Sequence, residues 1–159
     1  MKVTPPTIQN DEALSLKLMV VLSKAYKSVM EKAAKDIKRY GMSPSEFGIL
    51  EVLYTKGKIP IQKIGEKILI SSGTMTYNVD KLEKRGLVAR IPCQEDRRVV
   101  YAELTDDGRQ LFERIFPQHA AEVNHIFSGL TAEQKLEAIE MLKIIGKGVH
   151  IDDRNISDN

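Results

Sequence analysis

Apolar residues recur at three- and four-residue intervals between Asp11 and Tyr40: Leu14, Leu18, Leu22, Ala25, Val29, Ala33 and Ile37. That period predicts one long amphipathic helix, closed by Gly41. Leu16, Met19, Val20 and Tyr26 widen its apolar stripe beyond what one face of a small domain requires. Ser43-Pro44-Ser45-Glu46 then marks a helix start: Ser43 caps, Pro44 suits the first helical position and Glu46 closes a capping box. This second helix reaches about Lys56, offers Phe47, Leu50, Val52 and Leu53 for burial, and stops at Gly57. Pro60 opens a short third helix over Ile61 to Ile68, with Ile61, Ile64 and Ile68 inward. A turn at Leu69-Ile70-Ser71 leads to a fourth helix, capped by Ser71 or Ser72 and ended by Gly86.

Beyond Gly86 the pattern changes. Leu87-Val88-Ala89-Arg90-Ile91 and Val99-Val100-Tyr101-Ala102-Glu103-Leu104 read as two strands of a hairpin. The charged loop between them, Pro92 to Arg98, is long for a tight turn, which suggests a task. Thr105 caps a fifth helix to about Phe127, which Pro117 is expected to kink or break. Thr131 and Gln134 form a capping box for a sixth helix ending near Gly146. Short helices joined by tight turns and followed by a hairpin are the sequence form of a winged helix-turn-helix. The predicted fold is mainly α with a small β-hairpin: a winged helix-turn-helix over about 43–108, flanked by N- and C-terminal dimerisation helices (11–40 and 109–148). Residues 11–148 form a single domain in this reading, with flexible segments at 1–10 and 149–159.

The chain has 159 residues, 42% of them apolar, enough for a core of its own. The formal net charge is only +2, so distribution must carry any argument for nucleic acid. Lys17, Lys24, Lys27, Lys32, Lys35, Lys38 and Arg39 crowd one stretch against only Glu31 and Asp36. The one cysteine, Cys93, forbids an internal disulfide and points to a reducing, cytoplasmic setting. The first ten residues lack the apolar centre of a signal peptide.

On the fourth helix, Met75, Val79 and Leu82 make a core stripe, while Thr74, Tyr77, Asn78 and Lys81 share another side. Asn can bond adenine bidentately, Thr and Tyr can donate to bases or phosphates, and Lys serves phosphate or guanine. Ser72 and the first amides of the helix suit a phosphate, and Thr76 belongs with this group of DNA-binding candidates. Arg97 and Arg98 at the hairpin tip are suited to a minor groove, with Asp96 placed to orient one of them.

Ser72-Gly73-Thr74-Met75-Thr76, Asp80-Lys81-Leu82-Glu83-Lys84-Arg85-Gly86-Leu87-Val88, Asp96-Arg97-Arg98 and Leu104-Thr105-Asp106-Asp107-Gly108 together resemble the MarR family of bacterial regulators. The motifs cover residues 72–108, and the helix order extends the likeness to nearly the whole chain. The resemblance implies a homodimer on double-stranded DNA, its fourth helices in successive major grooves of a near-palindromic site. Half-sites would lie about 34 Å apart. It further implies that the wing arginines reach the flanking minor groove and backbone, and that the first, fifth and sixth helices build the dimer. The family's effectors are phenolic, lipophilic or oxidising compounds, which implies repression relieved by a small molecule. Leu16-Lys17-Leu18, Ser23-Lys24-Ala25-Tyr26-Lys27 and Phe116-Pro117-Gln118-His119-Ala120 resemble the quinone- and catechol-resistance branch.

Helix order suggests Tyr26, Phe116 and His119 as the lining of an effector pocket. Cys93 raises an alternative, a redox-sensing repressor, since Arg90, Arg97 and Arg98 could favour its thiolate. Some peroxide sensors of that family, however, carry their reactive cysteine near the start of the first helix, and this chain has none there. His119, Glu122 and His125 recur at every third residue, which is not the spacing of a zinc helix; no metal and no cofactor are expected. No phosphate loop, nucleophile motif or acid-base constellation appears, so the chain is not expected to be an enzyme. A winged-helix protein-protein interaction module is the remaining alternative.

Overall fold

A computed structural model describes the backbone of residues 9–68 and 71–156, with side chains up to residue 148. The expected Leu69-Ile70 turn, residues 1–8 of the expected flexible N-terminus and the side chains of the expected 149–159 tail lie outside the described residues. Within them the order is α1 (Asn10–Arg39), α2 (Pro44–Lys56), β1 (Ile59–Pro60), α3 (Ile61–Ile68), α4 (Ser72–Lys84), β2 (Val88–Pro92), β3 (Val100–Leu104), α5 (Asp106–Ile126) and α6 (Ala132–Ile156). Two compact units are present, one ending at Glu122 and the other beginning at Val123.

The stop and start signals act as the local chemistry predicts. The Ser43 hydroxyl accepts from the Glu46 N–H, and the Glu46 carboxylate accepts from the Ser43 N–H. Gly57 and Gly86 close α2 and α4 in the left-handed region, at φ +72° and +71°. Ser71, rather than Ser72, caps α4 by accepting from the Thr74 N–H. Thr105 joins wing to α5: its hydroxyl donates to the Gly86 carbonyl and accepts from the Gly108 N–H. Gly108 lies so close to the wing that a Cβ there would stand 2.0 Å from the Leu87 carbonyl oxygen.

The core of the first unit is the winged module. Phe47, Ile49, Leu50 and Leu53 of α2 meet Ile64 of α3, Met75, Val79 and Leu82 of α4, Val88 and Ala102 of the sheet, and Phe112 and Ile115 of α5. Ile49, not Val52, takes the fully buried place on α2. The sheet has a strand the sequence pattern did not reveal. β1 pairs antiparallel with β3 through Ile59↔Ala102 and Pro60↔Tyr101, giving the order β1-β3-β2. Two residues are too few to display a period of two, and Pro60 reads as a helix opener instead.

Pro117 does not break α5, which runs unbroken through it. Pro117 is exposed, so the carbonyl it leaves unpaired faces solvent, while Phe112 and Ile115 anchor the preceding turns in the core. In the second unit Thr131 and Gln134 form the expected reciprocal cap. α6 continues past Gly146 to Ile156, because a glycine inside a helix costs only about 1 kcal/mol and does not end it.

Candidate nucleic-acid interface

The buried stripe of α4 is Met75, Val79 and Leu82, and it fixes which sides of the helix remain outside. Ser72, Thr74, Thr76, Tyr77 and Lys81 are exposed. Tyr77 is 63% exposed, and its ring carries the Lys81 ammonium 5.6 Å from its centre. The Thr74 hydroxyl accepts from Ser71, and the Thr76 hydroxyl donates to the Ser72 carbonyl.

Asn78 departs from the expected face. It is buried, and its amide nitrogen donates to the Thr74 carbonyl at 2.8 Å. At 100° per residue it lies about 40° beyond Leu82, at the edge of the apolar stripe and close enough to be drawn into the core. A short amide bonded to its own helix backbone is satisfied there, and it is not held out as a base reader.

Lys81 is also engaged. Glu46, buried on α2, makes ion pairs with Lys81 and with Arg85, the latter at 3.5 Å. Contact with this carboxylate holds the Lys81 ammonium above its ordinary value. Arg85 further donates to the Gly41 carbonyl at 3.1 Å. The C-terminal half of α4 is thus tied to the start of α2, a contact that nothing in the local sequence announces beyond the capping role of Glu46.

The wing is organised by two arginines. At its tip the Asp96 carboxylate accepts from the Arg98 backbone N–H at 3.0 Å and from its guanidinium at 3.2 and 3.4 Å. These bonds, the backbone one first, hold Asp96 below its ordinary carboxylate value. The Arg98 side chain remains 90% exposed, so it is directed without being covered. Arg97 beside it is exposed as well. At its base Arg90 of β2 bridges to Asp80 at 2.6 Å and to Glu83 at 3.3 Å, both on α4. Arg90 therefore couples the wing to the helix whose polar side it flanks. Cys93 is half-buried where the hairpin closes, its backbone N–H donating to the Val99 carbonyl.

The three residues expected to line an effector pocket are not brought together. Tyr26 stands on the exposed side of α1. Phe116 stacks on Phe112 and borders a cleft of about 150 Å³ with Tyr54, Glu113 and Pro117. His119 is mostly buried against Phe47, and its Nδ1 lies 2.8 Å from Asp36. Asp36, itself buried, also accepts from the Tyr40 hydroxyl. Burial and this carboxylate raise the Tyr40 phenol above its ordinary value. His119 is thus a member of a structural polar cluster, since helix order alone does not say which way a side chain turns. Among the described residues no three His, Cys, Asp or Glu side chains are grouped as a metal would require.

The sequence profile of the MarR family matches residues 42–100, the winged module. The transcriptional regulator MhqR of Bacillus subtilis is 48% identical over 132 residues, covering 83% of this chain and 91% of that protein. This chain belongs to the MarR family. A second B. subtilis regulator, YkoM, is 41% identical over 83% of the chain and 86% of its own length. Among solved structures, the MarR-family regulator Sco3205 of Streptomyces coelicolor, determined in complex with DNA, superposes with a TM-score of 0.76 at 26% identity, covering 91% of each chain. MarR proteins are transcriptional regulators, not enzymes; they are dimers that bind double-stranded DNA and small-molecule ligands. This protein is a DNA-binding regulator of that type. No helix among the described residues is long and apolar enough to cross a membrane.

Proposed function

We propose that this protein is a cytoplasmic repressor, bound to a near-palindromic operator and released by a small phenolic or quinone-like effector. The observation that carries the DNA-reading half is the pairing of α4 with the wing. An exposed Ser72, Thr74, Thr76, Tyr77 side stands beside an Arg98 whose direction is set by Asp96. Hydroxyls and an aromatic suit base edges and phosphates in the major groove. A directed guanidinium suits the narrow minor groove alongside. The exposed apolar side of α1, with Leu14, Leu18, Met19 and Val21, supplies the surface for the second protomer. The effector class rests on the resemblance of α1 and α5 to the quinone- and catechol-resistance branch.

Release requires only that the effector prefer a conformation whose recognition helices no longer match the half-sites. Operator and effector then weaken each other reciprocally. Fluorescence anisotropy on the DNA upstream of its own coding sequence, at two salt concentrations, tests the first half. Specific binding that weakens steeply with salt is expected; equal affinity for random DNA would contradict it. Titration of that complex with catechol and methylhydroquinone tests the second half.

A further inference from the structure

Tyr77 and Lys81 stand one turn apart on α4, on the side turned away from the buried Met75, Val79 and Leu82. Both are exposed, but they differ in freedom. The Lys81 ammonium lies 2.5 Å from Glu46 Oε1, and the side chain of Glu46 is 1% exposed. Arg85, the second cation on this carboxylate, is farther off, 3.5 Å from Oε2. Carrying the Lys81 ammonium out to a DNA phosphate would strip a buried carboxylate of its nearer countercharge, which is costly. The same ammonium lies 5.6 Å from the centre of the Tyr77 ring, within reach of cation–π attraction. A continuous line of contact therefore runs from Glu46 of α2, through Lys81, to an aromatic residue that is 63% exposed.

We infer that Tyr77 is a specificity-determining residue whose ring reads the C5-methyl of one thymine in each half-site, and that Lys81 is its positioning residue, not a phosphate contact. This deepens the reading of α4 as the base-reading helix and rests on it. In a duplex the faces of the bases are stacked on one another, so a ring entering the major groove meets only their edges. Those edges present hydrogen-bond donors and acceptors and one apolar group, the thymine methyl. That methyl is the matching partner for an exposed ring on the reading side of α4. The ring turns about two side-chain dihedrals, and an ammonium anchored at Glu46 favours one placement of it. Less freedom is then lost when DNA binds. Lys81 thereby contributes to recognition through Tyr77 without neutralising a phosphate.

Replacing each thymine of the operator in turn by deoxyuridine removes one methyl and no hydrogen-bonding group. Wild-type affinity, read by anisotropy, should fall about fourfold at one position in each half-site, the worth of one buried methyl. Tyr77→Phe should keep that penalty, and Tyr77→Ala should lose it at that position alone. Lys81→Met should bind operator more weakly, shrink the penalty at the same thymine and leave the dependence of affinity on salt unchanged. Loss of a phosphate contact would instead lower the salt slope by about 0.9 for each protomer; that result would overturn the positioning role. No deoxyuridine penalty in the wild type, or penalties that all survive Tyr77→Ala, would overturn the methyl reading, while preference for operator over random DNA would keep α4 as the reading helix. If the wild type shows no such preference, the reading of α4 fails and this inference with it. The wild-type and Tyr77 measurements leave Glu46 and the core untouched, so misfolding of Lys81→Met does not obscure the result.

Discussion

Arg90, in the first long strand of the wing, sits between two carboxylates of the recognition helix, 2.6 Å from Asp80 and 3.3 Å from Glu83. It is the only cation that bridges wing and helix among the ion pairs of the described residues. The two acids lie one turn apart on α4, so a single guanidinium spans both and fixes the angle at which the wing leaves the helix. That angle decides whether Arg98 and the α4 hydroxyls meet one duplex at the same time.

Arg90→Met keeps much of the aliphatic bulk and removes the bridge. Each pair is partly solvated, so stability should fall by only about 1 kcal/mol. Operator affinity should fall by more than that loss, because the wing is no longer aimed. Urea denaturation and anisotropy on one preparation separate the two effects; an unchanged affinity would show that the brace does not matter for binding.

Arg98→Ala should weaken operator binding, flatten its dependence on salt by the loss of one cation, and leave the dimer intact on size exclusion. Asp96→Asn tests the brace on Arg98. Because bonding to Arg98 depresses the Asp96 value, its contribution is present above the ordinary value of 3.8 and lost as pH falls through the depressed one. Asp96 is therefore ionised throughout pH 5–8. The ratio of wild-type to Asp96→Asn operator affinity should stay flat across that range, and a slope within it would contradict the assignment.

Asn78→Ala should destabilise the fold and leave sequence preference unchanged. Its amide is buried and bonded to the Thr74 carbonyl, so truncation is expected to cost on the order of 1–2 kcal/mol. Tyr77→Ala should do the reverse: little change in thermal stability, since the ring is 63% exposed, and a clear loss of operator affinity. A binding-site selection experiment on both variants would reverse this assignment if Asn78→Ala alone relaxed base preference.

These residues show how far the chain was legible. Caps, glycine stops and hydrophobic periods are local, and they placed the helices and the wing close to their observed positions. The Asp96–Arg98 brace was legible for the same reason, being two residues apart. Long-range partners were not. Glu46 shows a capping box in sequence but also holds Lys81 and Arg85, and that second role exists only once α2 packs on α4. Hydrophobic pattern alone sets Asn78 outward, because it separates only apolar from polar positions, whereas burial at the stripe's edge is decided by whether the amide finds a partner. His119 turned towards Asp36, 83 residues away, for a reason no spacing contains.

Gly108→Ala should be among the most damaging small substitutions. The added methyl would stand 2.0 Å from the Leu87 carbonyl oxygen, a backbone atom that already accepts from the Thr105 N–H. Neither side can move without opening the wing-to-α5 joint. A loss on the order of 3 kcal/mol is expected from such overpacking, measured as a shift in urea midpoint with unchanged slope.

Leu18→Glu tests the surface assigned to the second protomer. Leu14, Leu18, Met19 and Val21 are each at least 54% exposed in the single chain, and none belongs to the winged core built on Phe47, Leu50 and Val79. A carboxylate at position 18 costs the isolated protomer little, because it stays in water. Buried against a second apolar helix it is unpaired, which costs several kcal/mol. The variant should therefore fold and run as a monomer in light scattering. Its winged module still reaches one half-site, but the second contact is no longer intramolecular, so full-operator affinity should fall by roughly 100-fold or more. Half-site affinity should hardly change. A Leu18→Glu protein that remains a dimer and binds operator normally would move the interface off this side of α1.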